Sequence, residues 1–450
     1  MNELKLRASY GETGNDRISS TATQFLFAAS TTRGPGFGNV DNVYYTPSES
    51  TLYNPDLKWE TTVNRNIGLD FLMFQGKLGG SLDFYKNTTR DLLLQSAIPS
   101  NTGFTTQWNN IGSTSNQGVE LGLTGYLIDK NDFSLSANFN IGVNRAKVEE
   151  LDGTTERFFQ SNWASTDLKD RDDYYLRVGG TLGDIYGYVT DGYYSTNDFD
   201  AYDATTNAYL LKDGVPNAGN TVGNQNIRPG FLKLKDLNGD GIINSDDRMV
   251  IGNTLPKHQG GFGFDARFKG FDAAIFFNWS YGNDVYNTGK IQYNQFRRVT
   301  YGNMLNTMNS DSRFTYIDID GSFTGTPGEV VTALDQLAQM NAGKTIWSHN
   351  SYGVAQAVIH SWAVEDGSFL RLNNVNIGYT LPARLISRLG MSQFRVYVTG
   401  NNLHIWTKYT GYDPEVSTTR SSAYSALTPG VDYSSFPRSR SYTFGLNITF

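Results

Sequence analysis

The chain has 450 residues, a formal net charge of −7, 47 glycines, 14% aromatic residues and no cysteine. The acidic balance and the lack of a long basic run argue against nucleic acid as a partner, and the lack of cysteine rules out a disulfide framework. No stretch approaches the ~18 to 20 continuous apolar residues of a membrane helix, which excludes a helical membrane protein. The glycine and aromatic content favours turn-rich β structure over an ordinary α/β enzyme.

The first predicted element is a strand that begins almost at Met1. Its apolar residues alternate with polar ones, and they are Leu4, Leu6, Ala8 and Tyr10. No apolar leader and no cleavage site precede this strand. We therefore expect either that an upstream portion is missing or that a soluble β protein opens on a strand.

Four pairs of alternating segments follow, each with apolar side chains on one face only. They cover 61–73 with 78–85, 119–127 with 133–143, 262–268 with 271–279, and 374–380 with 394–399. A last alternating segment, 441–450, ends the sequence. With the opening strand they predict about ten strands of membrane length. Several exceed the ~5 or 6 residues that are usual in a soluble sandwich, the competing all-β fold.

The connections between these segments differ in length in a regular way. Each pair is joined by a short turn, whereas the connections between pairs are long and polar, and they cover 11–60, 87–116, 146–259, 284–368 and 406–439. This asymmetry is typical of bacterial outer-membrane barrels, whose short turns are periplasmic. The sequence therefore predicts an all-β, antiparallel transmembrane β-barrel with long extracellular loops.

The loop predicted over 146–259 contains the segment DLNGDGIINSDD. Side chains at alternate positions around a tight glycine turn can supply the oxygen ligands that calcium requires. The predicted ligands are the side chains of Asp236, Asn238, Asp240 and Asp247 and the backbone carbonyl of Ile242. The following residues alternate like a strand, so this is not a helix-loop-helix. A hydrogen-bonded Asx-rich turn is the alternative, because Asp247 stands where a bidentate glutamate is usual.

Other loop residues are apolar or aromatic. In EVVTALDQLAQM, the spacing of Val330, Leu334 and Leu337 predicts a short helix that packs on its own loop. Aromatic residues near loop and strand ends could stack on sugars, although an interfacial girdle or packing inside the loops is the simpler role. They are Trp59, Trp108, Trp163, Trp347, Tyr352, Trp362 and Trp406.

The final strand carries a separate pattern. Its residues read polar-x-Gly-x-x-apolar-x-aromatic at Thr443, Gly445, Ile448 and Phe450. This pattern resembles the signal that outer-membrane assembly machinery reads. We expect Phe450 to lie at the periplasmic end of the barrel.

Several motifs in a fixed order resemble one family over nearly the whole chain, the SusC/RagA group of TonB-dependent outer-membrane transporters from Bacteroidetes. They are LRASYGETGN, YNPDLKWETTVNRNIGLDF, NNIGSTSNQGVELGL, GDIYGYVTDGYY, KDLNGDGIINSDDRMVIGNTLPKHQGGF, GSFLRLNNVNIGYTLP and VYVTGNNLHIWTKYTGYDPEV. The resemblance implies a large plugged barrel of about 22 strands. Residues 1–450 would form its C-terminal half, without the plug, TonB box and signal peptide.

The same resemblance implies a location and partners. The protein would lie in outer-membrane lipid and import an oligosaccharide or a peptide. A SusD-like surface lipoprotein would act as a lid, and the TonB complex would act through the missing N-terminal region. The half barrel alone is expected to be inactive in transport.

Two other classes of function compete with transport. The first is a secreted, calcium-dependent β protein that binds carbohydrate. The second is an enzyme, but no nucleophile, base and orienting group are spaced for chemistry. The four histidines are scattered without metal spacing, and no other cofactor is expected.

Overall fold

The computed structural model describes residues 1–16, 18, 20–30, 44–47, 51–162, 171–223, 226–294, 302–349, 358–418, 426–433 and 435–450. Ten strands form one antiparallel sheet in which each strand pairs with its neighbours in chain order. They are β1 (Glu3–Asn15), β2 (Glu60–Met73), β3 (Leu78–Arg90), β4 (Ser113–Lys130), β5 (Phe133–Glu150), β6 (His258–Phe268), β7 (Phe271–Tyr281), β8 (Phe369–Thr380), β9 (Gln393–Thr407) and β10 (Ser441–Thr449). All ten predicted strands are confirmed.

The two faces of this sheet differ in polarity, because successive side chains of a strand point to opposite faces. The apolar side chains lie on one face and stay exposed, as shown by Leu6 at 74% and Phe444 at 81% of full exposure. The opposite face is polar, and Arg7 pairs there with Asp70 at 2.8 Å and with Asp83 at 2.9 Å. An exposed apolar face and a polar inner face match a barrel wall between lipid and an aqueous lumen.

Short turns lie at one end of the sheet. The β2–β3 turn uses the left-handed backbone conformation at Phe74, Gln75 and Gly76. The β8–β9 connection holds a helical turn, Ala383–Ile386, followed by a 3-10 turn, Ser387–Leu389. The predicted long connections leave the opposite end, which we call the long-loop end.

The two edges of the sheet are β1 and β10, and among the described residues they do not pair with each other. Each edge strand therefore carries backbone N–H and C=O groups that no strand of the described sheet satisfies. Unpaired backbone groups in hydrocarbon cost several kcal/mol each.

Smaller elements fill the long-loop end. A four-stranded sheet joins Glu156–Phe159, Tyr174–Arg177, Asp184–Tyr188 and Arg248–Asn253. The other short strands are Phe27–Ser30, Tyr44–Pro47, Thr51–Leu52, Leu93–Ala97, Thr106–Asn110, Thr190–Tyr193, Phe199–Asp203, Ala208–Leu211, Leu232–Leu234, Asp284–Asn287, Ile317–Asp318, Glu329–Val330, Val364–Asp366 and Val431–Asp432. The α-helices there are Gly219–Val222, Thr288–Tyr293 and Leu334–Met340. No helix of the described residues is long and apolar enough to span a membrane.

The long-loop end is folded around two hydrophobic clusters of its own. One contains Tyr194, Phe231 and Phe314, each at most 2% exposed. The other joins Val148 of β5 to Tyr174 and Tyr286. The loops are therefore packed layers anchored to the sheet, whereas the sequence predicted packing there only for one short helix and some aromatic residues.

Two predictions about the loops need correction. The loop predicted over 146–259 is shorter, because β5 continues to Glu150 by pairing with Ser113–Asn116 and β6 begins at His258. Val330 does not share a helix face with Leu334 and Leu337. It pairs with Ile317 in a two-residue strand and is 59% exposed, while the predicted helix begins at Leu334.

Candidate functional site

A cavity of about 830 Å³, lined by both polar and apolar residues, lies against the inner face of the sheet. Its wall comes from β3 to β8, and segments of the long-loop end close part of its mouth. The lining includes Ser81, Glu120, Asn140, Gly142, Asn278 and Glu415. The cavity therefore lies where a barrel lumen would meet the long-loop end.

The register of the sheet explains why this wall is polar and has room. One row across five neighbouring strands reads Ser81, Gly122, Asn140, Gly261 and Asn278. Two of these positions are glycine, and the other three carry a hydroxyl or an amide. A wall of this kind offers hydrogen-bonding groups without bulky side chains, which suits passage of a polar solute.

Ion pairs balance much of the charge on the inner face. The guanidinium of Arg395 donates hydrogen bonds to both carboxylate oxygens of Asp272, and the distance from Arg395 Nε to Asp272 Oδ1 is 2.9 Å. Arg7 bridges Asp70 and Asp83 in a similar way. Bidentate pairs of arginine and carboxylate hold both groups in a defined geometry. The arrangement can bind and orient a solute, but these groups do not form a nucleophile with an adjacent base.

A buried arginine holds the segment at the mouth of the cavity. Arg371 of β8 is 2% exposed, and its guanidinium lies 2.7 Å from Asp413 and 2.9 Å from Glu415. Arg438 reaches Glu415 from the other side at 3.1 Å. A buried charge such as that of Arg371 is stable only when it is paired. Its ion pair with Glu415 therefore holds Glu415 at the cavity.

The predicted calcium ligands do come together in one compact loop. Asp236 accepts hydrogen bonds from the N–H groups of Gly239 at 2.6 Å and Gly241 at 2.8 Å. The Gly241 N–H is the main cause that lowers the pKa of Asp236. Asn238 Nδ2 donates to Asp240 Oδ2 at 3.1 Å, and Asp240 Oδ1 accepts from the N–H of Ile242 at 2.8 Å.

Asp247 lies inside the same loop and binds its backbone. Its side chain is fully buried and accepts from the N–H groups of Leu237 at 2.7 Å and Asn244 at 2.8 Å. Gly239 and Gly241 both adopt positive φ, as a tight turn requires.

These loop residues suit both interpretations of the motif. Their oxygens are of the type that binds calcium. However, the carboxylates already accept backbone hydrogen bonds, as an Asx-rich turn predicts. In the described parts of the chain no group of three or more His, Cys, Asp or Glu is placed to hold a metal. Calcium binding stays a prediction.

The four residues of the assembly pattern lie along the edge strand β10 or just after it. Thr443 and Gly445 face inward, opposite Thr399 and Tyr397 of β9. Ile448 lies opposite Phe394 on the outer face, and Phe450 is 85% exposed. An exposed edge strand is accessible to another protein, and recognition by assembly machinery stays a prediction.

Some aromatic residues of the loops pack against other rings. Trp347 is buried, and its ring lies 5.5 Å from His360 and 4.9 Å from Trp362. Burial lowers the pKa of His360 to about 3, so this histidine is a neutral packing residue at ordinary pH. Packing inside the loops is confirmed for Trp347 and Trp362. Trp163 and Tyr352 lie outside the described residues.

Comparison with known proteins gives consistent matches along the chain. The family model described as TonB dependent receptor-like, beta-barrel matches residues 1–403. TonB-dependent receptor P3 of Formosa agariphila is 31% identical over 99% of this chain and 39% of its own length. TonB-dependent receptor SusC of Bacteroides thetaiotaomicron is 26% identical over 100% of this chain and 38% of its own length.

A solved structure shares the fold. The structure of the RagAB peptide transporter contains a chain that matches with a TM-score of 0.67 and 21% identity, over 100% of this chain and 41% of the solved one. The chain therefore spans about two fifths of the length of these relatives.

Proposed function

Because the chain belongs to the TonB-dependent receptor-like β-barrel family, we propose that it forms part of an outer-membrane importer for an oligosaccharide or a peptide. The likeness to SusC and to the fold of RagAB agrees with the SusC/RagA resemblance of the sequence motifs. The ten-stranded sheet is a segment of an outer-membrane barrel wall.

The observation that carries the proposal is the contrast between the two faces of this wall. The outer face exposes large apolar side chains within the sheet, such as Ile67 and Phe84, whereas the inner face carries the ion pairs of Arg7 and Arg395 and borders the 830 Å³ cavity. A secreted carbohydrate-binding protein would bury such an apolar face, so that alternative is not supported. Import moves a solute without making a covalent bond, and we propose no catalytic residue.

The substrate class is inferred from the wall and from the relatives. The amide and hydroxyl groups of Ser81, Asn140 and Asn278 suit hydrogen bonds to hydroxyl or peptide groups, and the ion pairs limit the net charge of the wall. Among the relatives, RagAB is described as a peptide transporter. An oligosaccharide and a peptide both offer the groups that this wall would bind.

The proposed partners follow from the resemblance and from the edges of the sheet. A SusD-like lipoprotein would cover the long-loop end, and a TonB complex would supply energy. The unpaired edges of β1 and β10 require further strands for a closed barrel. The 450-residue chain alone is therefore expected to show no uptake.

A substitution in the cavity tests the proposal in the intact protein. Gly142 lines the cavity, and the nearest atom to a Cβ there is Glu120 Cγ at 3.8 Å. Gly142→Trp would place an indole in the solute path and should block growth that depends on the importer. The control is Gly125→Trp, because Gly125 pairs with Ala137 on the outer face and its Cβ would meet Leu78 at 3.6 Å.

The readout is growth on a panel of oligosaccharides and peptides, with the surface level of each variant measured in parallel. A deletion strain should fail on one substrate class, and Gly142→Trp should reproduce that failure. Equal growth of the two tryptophan variants at equal surface level would refute the solute path.

A further inference from the structure

The outer face of the sheet changes character between two neighbouring rows of residues. One row reads Ile67, Phe84, Val119 and Val143 on β2 to β5, and all four residues are apolar. The next row toward the long-loop end reads Arg65, Lys86, Gln117 and Arg145 on the same strands. We call Arg65, Lys86 and Arg145 the cationic row. It begins where the apolar face of the wall stops.

The cationic row brings like charges together. Arg65 and Lys86 are direct cross-strand partners, and like charges directly opposite each other destabilise a sheet. One guanidinium nitrogen of Arg145 donates hydrogen bonds to backbone carbonyls, including that of Lys257 at 2.9 Å. Within the described parts of the chain none of the three forms an ion pair. The row therefore concentrates positive charge that an external anion would stabilise.

A cavity of about 630 Å³ adjoins this row. Lys86 and Arg145 line it from the sheet, and Lys147 and Arg177 add two further cations. Of its two carboxylates, Glu149 is held by Lys147 at 2.7 Å and by Ser115 at 2.6 Å. Asp184 accepts from Asn253 at 2.6 Å. Lys147 and Glu149 therefore neutralise each other, and Lys86, Arg145 and Arg177 outnumber the remaining Asp184, so the cavity favours an anion.

Aromatic rings lie on the face of the four-stranded sheet that carries Arg177. Phe158 pairs with Tyr175, and Tyr175 pairs with Asp184 of the cavity, so these side chains share one face. The ring centroids of Phe158, Tyr175 and Tyr186 lie 5.1 to 5.2 Å from one another. Phe158 is 40% exposed. Tyr175 stacks on the other two rings, and Arg248 lies 4.4 Å over Tyr186, so the exposed Phe158 is the ring that can stack on the apolar face of a sugar.

We propose that this region binds a phosphorylated glycolipid of the outer leaflet. The cationic row and the cavity bind its phosphate groups, and the rings of Phe158, Tyr175 and Tyr186 lie beside its sugars. Its acyl chains continue along the apolar row of Ile67 and Phe84. The continuity of a cationic surface with a lipid-facing apolar one favours a lipid over a free anion. This site is on the outside of the wall and is separate from the proposed solute path.

The test uses the intact protein that carries this chain, with the triple variant Arg65→Gln, Lys86→Gln and Arg145→Gln. The matched control is Lys130→Gln, Arg384→Gln and Arg388→Gln, which removes the same charge from exposed residues at the short-turn end. Binding is measured to phosphatidylcholine nanodiscs with and without bisphosphorylated lipid A, by native mass spectrometry of retained lipid. Inorganic phosphate is added in a separate arm as a competitor.

The wild type and the control should retain lipid A, and the triple variant should bind it on the order of 100-fold more weakly, since each basic residue near an anionic surface contributes a factor of about five. Equal loss in both triple variants, or no retention by the wild type, would overturn the proposal. Displacement of lipid A by inorganic phosphate at low concentration would identify a free-anion site and also overturn it. Uptake is measured separately, so a failure here leaves the import proposal intact.

Discussion

Gly445 of β10 lies directly opposite Tyr397 of β9, and the Tyr397 ring occupies the space that a side chain at position 445 would enter. The glycine of the assembly pattern therefore has a packing role, because an aromatic ring from the neighbouring strand covers it. This packing role and the predicted recognition by assembly machinery coincide on the last strand, and they can be separated by experiment.

Gly445→Ala should destabilise the pairing of β9 with β10. Overpacking of this kind costs about 1 to 3 kcal/mol. Gly11→Ala on the other edge strand is the control, because no atom lies within 4 Å of a Cβ there. We expect a lower unfolding temperature of the intact protein for Gly445→Ala only. Tyr397→Ala should relieve the clash in the double variant, and additive losses would contradict this explanation.

Phe450→Ala should lower insertion into the outer membrane without changing the stability of the protein that does insert. Phe450 is 85% exposed, and exposed positions usually change stability by less than about 0.5 kcal/mol. The measurement compares total synthesis, outer-membrane level and unfolding temperature. Insertion at the wild-type level would show that assembly does not use this aromatic residue.

Tags on the two ends of the sheet should differ in access from outside the cell. Gly153, Asp213 and Gly325 are exposed at the long-loop end, whereas Gly76 lies in the short turn between β2 and β3 and Lys130 ends β4 at the short turn to β5. In the intact protein, antibodies applied to whole cells should reach tags at the first three positions only. Labelling of the short turns instead would invert the topology.

Calcium should protect the loop around residues 236–247 from proteolysis in the wild type. Asp240→Asn keeps an oxygen that can accept the Ile242 N–H but removes a charge that calcium would bind, so it should abolish the calcium effect. Asp236→Ala with Asp240→Ala should do the same. Asp318→Asn is a control in another turn, where the carboxylate accepts several backbone N–H groups. Equal cleavage of the wild-type loop with calcium and with chelator would leave only the Asx-rich turn.

The segment around Asp173 should become less stable as the pH rises through neutrality. Asp173 directly precedes the strand Tyr174–Arg177 and is 1% exposed, and burial raises its pKa from 3.8 to about 7 despite hydrogen bonds from Ser161. The folded state therefore binds the proton more tightly than the unfolded state, and this contribution to stability is present at low pH and is lost as the pH approaches and passes the folded pKa.

Hydrogen exchange of residues 156–159 and 174–188 in the intact protein measures this effect. Protection should fall from about pH 4 to about pH 7 in the wild type and stay level above that range. Asp173→Asn cannot ionise and should flatten the dependence. Asp152→Asn is a control for the loss of a nearby carboxylate charge, because Asp152 lies near the same sheet but forms an ion pair with Arg157 at 3.5 Å. The same pH dependence in wild type and Asp173→Asn would exclude the buried carboxyl as its cause.

The sequence by itself determined the ten strands, the polarity of their two faces and the alternation of short turns with long connections. These features are local. Successive side chains of a strand point to opposite faces, so a period of two in the sequence identifies the residues that share a face. The same reasoning placed Thr443, Gly445, Ile448 and Phe450 on the last strand, and it gathered the Asp236 to Asp247 loop into one turn by spacing alone.

Only the tertiary structure decided which residues meet across strands and inside the loops. The opposition of Arg65 to Lys86 and of Gly445 to Tyr397 depends on register, and register is set by pairing between residues distant in sequence. The clusters around Tyr194 and Tyr174 also escaped prediction, because burial in irregular loops follows no period. Val330 was misplaced for a related reason: the Val331 N–H donates to Tyr316 and holds that segment extended, a long-range contact that outweighs its helical spacing.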